Sequence, residues 1–144
     1  MTKKSEISEE SNDSLISRKR KEYIKVMQPL LKKNVIRYVG NNKHIKIRFN
    51  QKGIEHVAND VIKKKPGLSI KELQKLDIFL RDAEYMDSSK KYKDRSDKYD
   101  NFYYFKDKNK KIYYHVAEEV NTSKSGKVKI NRYLYAVTKT EPKK

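Results

Sequence analysis

The chain reads as an α+β protein, with helices towards the N-terminus and a small antiparallel sheet towards the C-terminus. Ile54, Val57, Ala58, Val61 and Ile62, then Leu73, Leu76, Phe79, Leu80 and Ala83, recur at the three-and-four spacing of two amphipathic helices. Downstream, Phe102-Tyr103-Tyr104-Phe105, Ile112-Tyr113-Tyr114-His115-Val116 and Tyr133-Leu134-Tyr135-Ala136-Val137-Thr138 are aromatic and β-branched runs. Polar breaks at Asp107 to Lys110 and near Gly126 part them. That pattern predicts a three-stranded meander, because such side chains suit a pleated, half-buried surface.

The other elements follow in order. Residues 1–13 are polar and locally acidic, with too little apolar area to offset the entropy of ordering, and predict a disordered tail. Over residues 14–33, Ile16, Tyr23, Met27, Leu30 and Leu31 keep a helical spacing while Arg18, Lys19, Arg20, Lys21 and Lys25 fill the other faces. This predicts a basic amphipathic helix, ended or kinked at Pro29. Val35 to Val39 and Ile45 to Phe49 flank Gly40-Asn41-Asn42, a hairpin signal that puts Lys46 and Arg48 on one face. Pro66-Gly67 stops the first amphipathic helix, and Ser69 with Glu72 forms a capping box that opens the second. Lys90 to Lys98 carries charge without apolar periodicity and is either a mobile loop or a solvated basic lip. Residues 34–140 thus form one α+β domain, which precedes a short tail at 141–144.

Charge narrows the function. The 144 residues hold 36 Lys plus Arg against 19 Asp plus Glu, a net charge of +17 that works against compaction and points to a polyanionic partner. Nucleic acid is the expected partner, RNA ahead of DNA, with a neutralising protein as a further expectation. Most of the 11 tyrosines cluster towards the last third, where a strand pattern sets rings among cations, as base stacking with phosphate neutralisation requires. Lys46, Arg48, Lys90, Lys91, Lys93 and Arg132 are the candidate phosphate contacts, and Tyr103, Tyr113 and Tyr133 the candidate rings. No cysteine is present, so disulfides and thiolate chemistry are excluded and a reducing, cytoplasmic setting is expected. The longest apolar runs are only a few residues, which predicts no membrane span. With 4 glycines and neither phosphate-loop nor dinucleotide-binding motif, no cofactor is expected.

Proton transfer falls to histidine, because an unperturbed imidazole titrates near neutrality. His56 lies nearly opposite the apolar centroid of its helix and so faces solvent or a cleft. His115 alternates with Tyr114 and Val116, on the face of Tyr113 and Ala117, and His44 starts a strand at the surface. No metal site is read from the spacing. Metal-free acid/base work beside abundant Lys, Arg and Tyr suits RNA cleavage, in which the 2′-hydroxyl is the nucleophile and the protein moves protons and stabilises charge.

The run Ile45-Lys46-Ile47-Arg48-Phe49-Asn50-Gln51-Lys52-Gly53-Ile54-Glu55-His56, a second helix, a basic connection and a meander ending Tyr133-Leu134-Tyr135-Ala136-Val137-Thr138 together resemble the barnase/EndoU/colicin/RelE-like nuclease superfamily, in its small phage, mobile-element or polymorphic-toxin branch. The resemblance covers roughly residues 45–140. It implies N-terminal helices on a curved antiparallel sheet, with His56 as general base or acid, Lys91 or Arg95 as phosphate cation, and Thr138 with Tyr133 or Tyr135 as hydroxyl donors. Members that keep the fold without activity also occur, and the basic helix at 14–28 has no counterpart there. Three functions therefore stand as expectations: a metal-independent ribonuclease acting as a toxin or phage effector, a non-enzymatic nucleic-acid-binding accessory protein, and a protein-interaction module. Convergence separates the first two, because an enzyme needs His56 within reach of a second functional group at a concave site, whereas a binder spreads its cations along an open surface.

Overall fold

The computed structural model describes residues 2–40, 42–88 and 99–142, with side chains from residue 14 onward. A long helix, α1 (Thr2–Met27), runs into a 3-10 turn at Gln28–Lys32 that carries Pro29 at its start. Proline is tolerated in a first turn and breaks a helix interior, so α1 stops where Pro29 predicts. The backbone of residues 2–13 belongs to α1, a correction to the tail expected there. That stretch contains no proline or glycine to halt the helix.

The chain continues through β1 (Asn34–Tyr38), β2 (His44–Arg48), α2 (Gln51–Lys64), α3 (Ile70–Leu73), α4 (Leu76–Asp82), β3 (Glu84–Ser88), β4 (Asn101–Lys106), β5 (Tyr113–Thr122) and β6 (Val128–Thr138). The strands form one curled sheet in the order β1-β2-β6-β5-β4-β3. The α+β class, the early hairpin and the meander β4-β5-β6 are as the pattern predicts. Three features depart from it. β2 meets β6 in parallel at Arg48 and Tyr133, so the sheet is mixed. β3, whose Glu-Tyr-Met-Asp-Ser carries no strand signal, is held by pairing with β4. The helix expected after Ser69 is split into α3 and α4 by a tightened turn, in which Lys75 N–H donates to the Glu72 carbonyl at 2.9 Å. The capping box itself is present, Ser69 and Glu72 each accepting the other's N–H.

All the helices lie on one face of the sheet, burying Met27, Ile54, Val57, Leu73 and Leu80 against Ile47, Tyr114, Leu134 and Val137. The other face carries an aromatic layer of Tyr99, Phe102, Tyr104 and Tyr133, with Tyr135 packed against it. Pairing passes from Val116–Leu134 to His115–Ala136, which leaves Tyr135 as the extra residue of a β-bulge.

A junction at β2, α2 and β6 binds the early hairpin to the meander. After the single rung between β2 and β6, α2 continues along the same edge of β6. Asn50 caps its first turn by accepting the Gly53 N–H at 2.8 Å. Two turns later Asp60 Oδ2 accepts the Val137 N–H at 3.1 Å, so a side chain supplies the acceptor that a neighbouring strand would otherwise provide. The approach is so close that a Cβ on Gly53 would lie 2.1 Å from the Leu134 carbonyl oxygen and 3.0 Å from Tyr133 Cδ2. No helix among the described residues is long and apolar enough to cross a membrane.

Gly53→Ala is therefore expected to destabilise the protein. The clash is with backbone, so α2 must shift as a unit, at a cost of about 1–3 kcal/mol read as a lower denaturant midpoint.

Candidate nucleic-acid interface

Lys46 and Arg48 leave β2 on its exposed side because Ile45 and Ile47 alternate with them and take the core. Asn34 opens β1, Lys32 and Lys33 close the turn begun by Pro29, Asn50 caps α2, and Asn131, Arg132 and Tyr133 run along β6. These segments meet around a cleft of about 440 Å³. Its described wall contains no carboxylate. Among the described residues, Lys32, Lys33, Lys46 and Arg48 take part in no ion pair. Four like charges raise one another's energy, since salt screens only beyond about 10 Å at 0.1 M, and an anion seated between them reverses that sign.

Arg132 is held differently. Its Nε donates to Glu118 Oε2 at 2.6 Å, the Tyr103 hydroxyl donates to the same oxygen at 2.8 Å, and Lys43 Nζ donates to the Tyr103 hydroxyl at 3.1 Å. This network anchors Arg132 at the wall and offsets its charge. It also corrects the expectation for Tyr103, whose ring is 2% exposed in the layer beneath the helices and has no face to offer a base. Tyr113 is likewise buried, opposite Thr138. Tyr133 is buried too, yet it lines the cleft. Its hydroxyl lies 2.9 Å from Glu119 Oε1 and 3.0 Å from the Tyr99 hydroxyl. Having one proton, it donates to the carboxylate and accepts from Tyr99. Burial first, then these bonds, push the Tyr133 pKa well above the usual phenol value, so the group is a donor and not a base. Beside it the Tyr99 hydroxyl, with Glu119 adding, raises Lys52 and keeps it an ammonium.

The histidines belong to the aromatic face. His56, 34% exposed at its side chain, stacks on Tyr135 with ring centroids 3.9 Å apart. Its Nδ1 lies 3.3 Å from Asp60 Oδ2 but outside hydrogen-bond geometry, and the same oxygen accepts the Val137 N–H. Lys64 Nζ flanks the other carboxylate oxygen at 3.5 Å. His115 Nε2 is 2.9 Å from Thr138 Oγ1, which donates its proton to the Thr140 carbonyl at 3.1 Å. Thr138 must then accept, so His115 Nε2 carries the hydrogen. Rings join the two pairs: Tyr104 meets His115 edge-on at 5.0 Å, Phe102 stacks on Tyr104 at 6.3 Å, and Phe102 contacts Tyr135 at 5.8 Å.

His56, Tyr135, His115 and Thr138 are thus gathered on one face, whereas Lys46, Arg48, Arg132 and Tyr133 are gathered in the cleft. None of the first four lines the cleft. Lys90, Lys91, Lys93 and Arg95 lie outside the described residues. Lys32, Lys33, Asn50 and Asp60 were not singled out from sequence, although the His56-x-x-x-Asp60 spacing places both on one helical face. No group of three or more metal-ligating side chains occurs among the described residues.

Asp60→Ala strips the buried Val137 N–H of its acceptor and should cost about 1–3 kcal/mol in urea unfolding. Asp60→Asn keeps an oxygen acceptor there and should lose clearly less. No protein-family model, curated protein or solved structure matches this chain.

Proposed function

We infer that the protein binds nucleic acid in the cytoplasm, with RNA the expected partner, and that the cleft between β2, β6 and the turn after Pro29 is its seat. One observation carries this reading: Lys32, Lys33, Lys46 and Arg48 converge there without a carboxylate partner among the described residues. Cations placed so release condensed counterions when they meet phosphates, and this makes affinity salt-dependent. The amides of Asn34, Asn50 and Asn131 add hydrogen-bonding groups that a bare electrostatic patch lacks. The expected result is a log affinity that falls linearly with log salt. Lys46→Ala and Arg48→Ala should each reduce the slope by roughly one. A flat slope for the wild type would overturn the reading.

A second reading, metal-independent RNA cleavage, rests on a different observation. His56 has Asp60 beside Nδ1 and Tyr135 stacked on its ring, and His115 with Thr138 stands on the same face. An imidazole with a carboxylate beside it is suited to move a proton from a 2′-hydroxyl, and the resemblance to barnase/EndoU/colicin/RelE-like nucleases supports this role for a toxin or phage effector. Labelled mixed RNA incubated with the protein and EDTA should be cut, and His56→Ala should slow cutting by about 10²–10⁴-fold. Intact RNA at high protein excess removes this second reading and leaves the first untouched.

A further inference from the structure

The exposed face of the β1–β2 hairpin is built of three rungs. Asn34 pairs with Arg48, Ile36 with Lys46, and Tyr38 with His44. All six side chains are exposed, because Val35, Ile45 and Ile47 take the core positions between them. The first two rungs contribute Asn34, Lys46 and Arg48 to the basic cleft. The third carries Tyr38, which at 69% exposed is the most open large hydrophobic side chain among the described residues, beside Ile36 at 61%. His44 meets the Tyr38 ring edge-on at 5.7 Å and steadies its orientation. Successive rungs on one side of a strand stand roughly 6.8 Å apart, twice the rise per residue, so ring and cations form a regular track leading into the cleft.

We propose that Tyr38 is the base-stacking residue of this interface and that the ligand is an unpaired nucleic-acid strand laid along the three rungs. This rests on the cleft being the phosphate seat. A duplex hides the faces of its bases, so an exposed aromatic ring in line with phosphate cations gains contact only from a base that is already unstacked. Lys46 and Arg48 hold the backbone of that strand, Tyr38 takes a base, and Ile36 covers the apolar surface between them.

The test is fluorescence anisotropy with a short labelled single-stranded RNA and with the same strand annealed to its complement, for wild type, Tyr38→Ala and Tyr38→Phe. Because Tyr38 is exposed, thermal melts should show all three equally folded. Tyr38→Ala is expected to weaken single-strand binding by roughly 5- to 150-fold without changing the salt slope. Tyr38→Phe, which keeps the ring, should bind as the wild type does, and the duplex should bind less tightly than the single strand. Unchanged affinity in Tyr38→Ala, or a duplex bound as tightly as the strand, overturns the proposal while a persisting salt slope leaves the phosphate seat standing. A flat slope takes both away.

Discussion

The structure depends on the contact between α2 and the free edge of β6. β2 reaches β6 at one rung only, so without the helix the rest of that edge would present backbone groups with no partner. α2 closes it by bringing a glycine against the Leu134 carbonyl and a buried carboxylate against the Val137 amide. This junction positions the hairpin and its cations relative to the meander, together with the reach of Lys43 to Tyr103 and of Arg37 over Phe105. The cleft lies beside it, lined by β2, by Asn50 at the helix start and by Asn131 and Arg132 of β6.

The same junction separates two kinds of chemistry. On one side, Lys32, Lys33, Lys46 and Arg48 are exposed and have no ion-pair partner among the described residues. On the other, His56 and His115 lie among stacked rings, each beside an oxygen-bearing partner. Tyr133 belongs to both, lining the cleft while its hydroxyl joins Tyr99 and Glu119 in the aromatic layer. The cationic cleft and the histidines thus occupy distinct places in the fold, and a substitution in one need not disturb the other.

Local chemistry was legible from the residues. Pro29, the Ser69–Glu72 box, the Pro66-Gly67 stop and the alternation of Ile45 and Ile47 with Lys46 and Arg48 each act within a few positions, so the elements they define are where the pattern puts them. Long-range pairing was not legible. β3 becomes a strand only because β4 offers an edge, and the parallel rung at Arg48 joins segments far apart in the chain. For the site, the exposure of Lys46 and Arg48 followed from alternation, and the turning of His56 away from the aliphatic core followed from helical phase. The burial of Tyr103 did not, because adjacent aromatic residues in a two-sided sheet look alike until both faces have their covering layers. Lys32 and Lys33 read as the end of a solvated helix, and only the fold carries them to β2.

Tyr135 shows what one additional residue does to a strand. Strict alternation is a wave of period two, which would send Leu134 and Val137 to opposite sides. The bulge inserts a half-cycle, so these two, three positions apart, both sink beneath the helices while Tyr133 and Tyr135 both rise into the rings. The strand thereby serves two solvents of different character at once, an aliphatic interior below and a polarisable aromatic one above, and the imidazole of His56 rests on the residue where the phase changes.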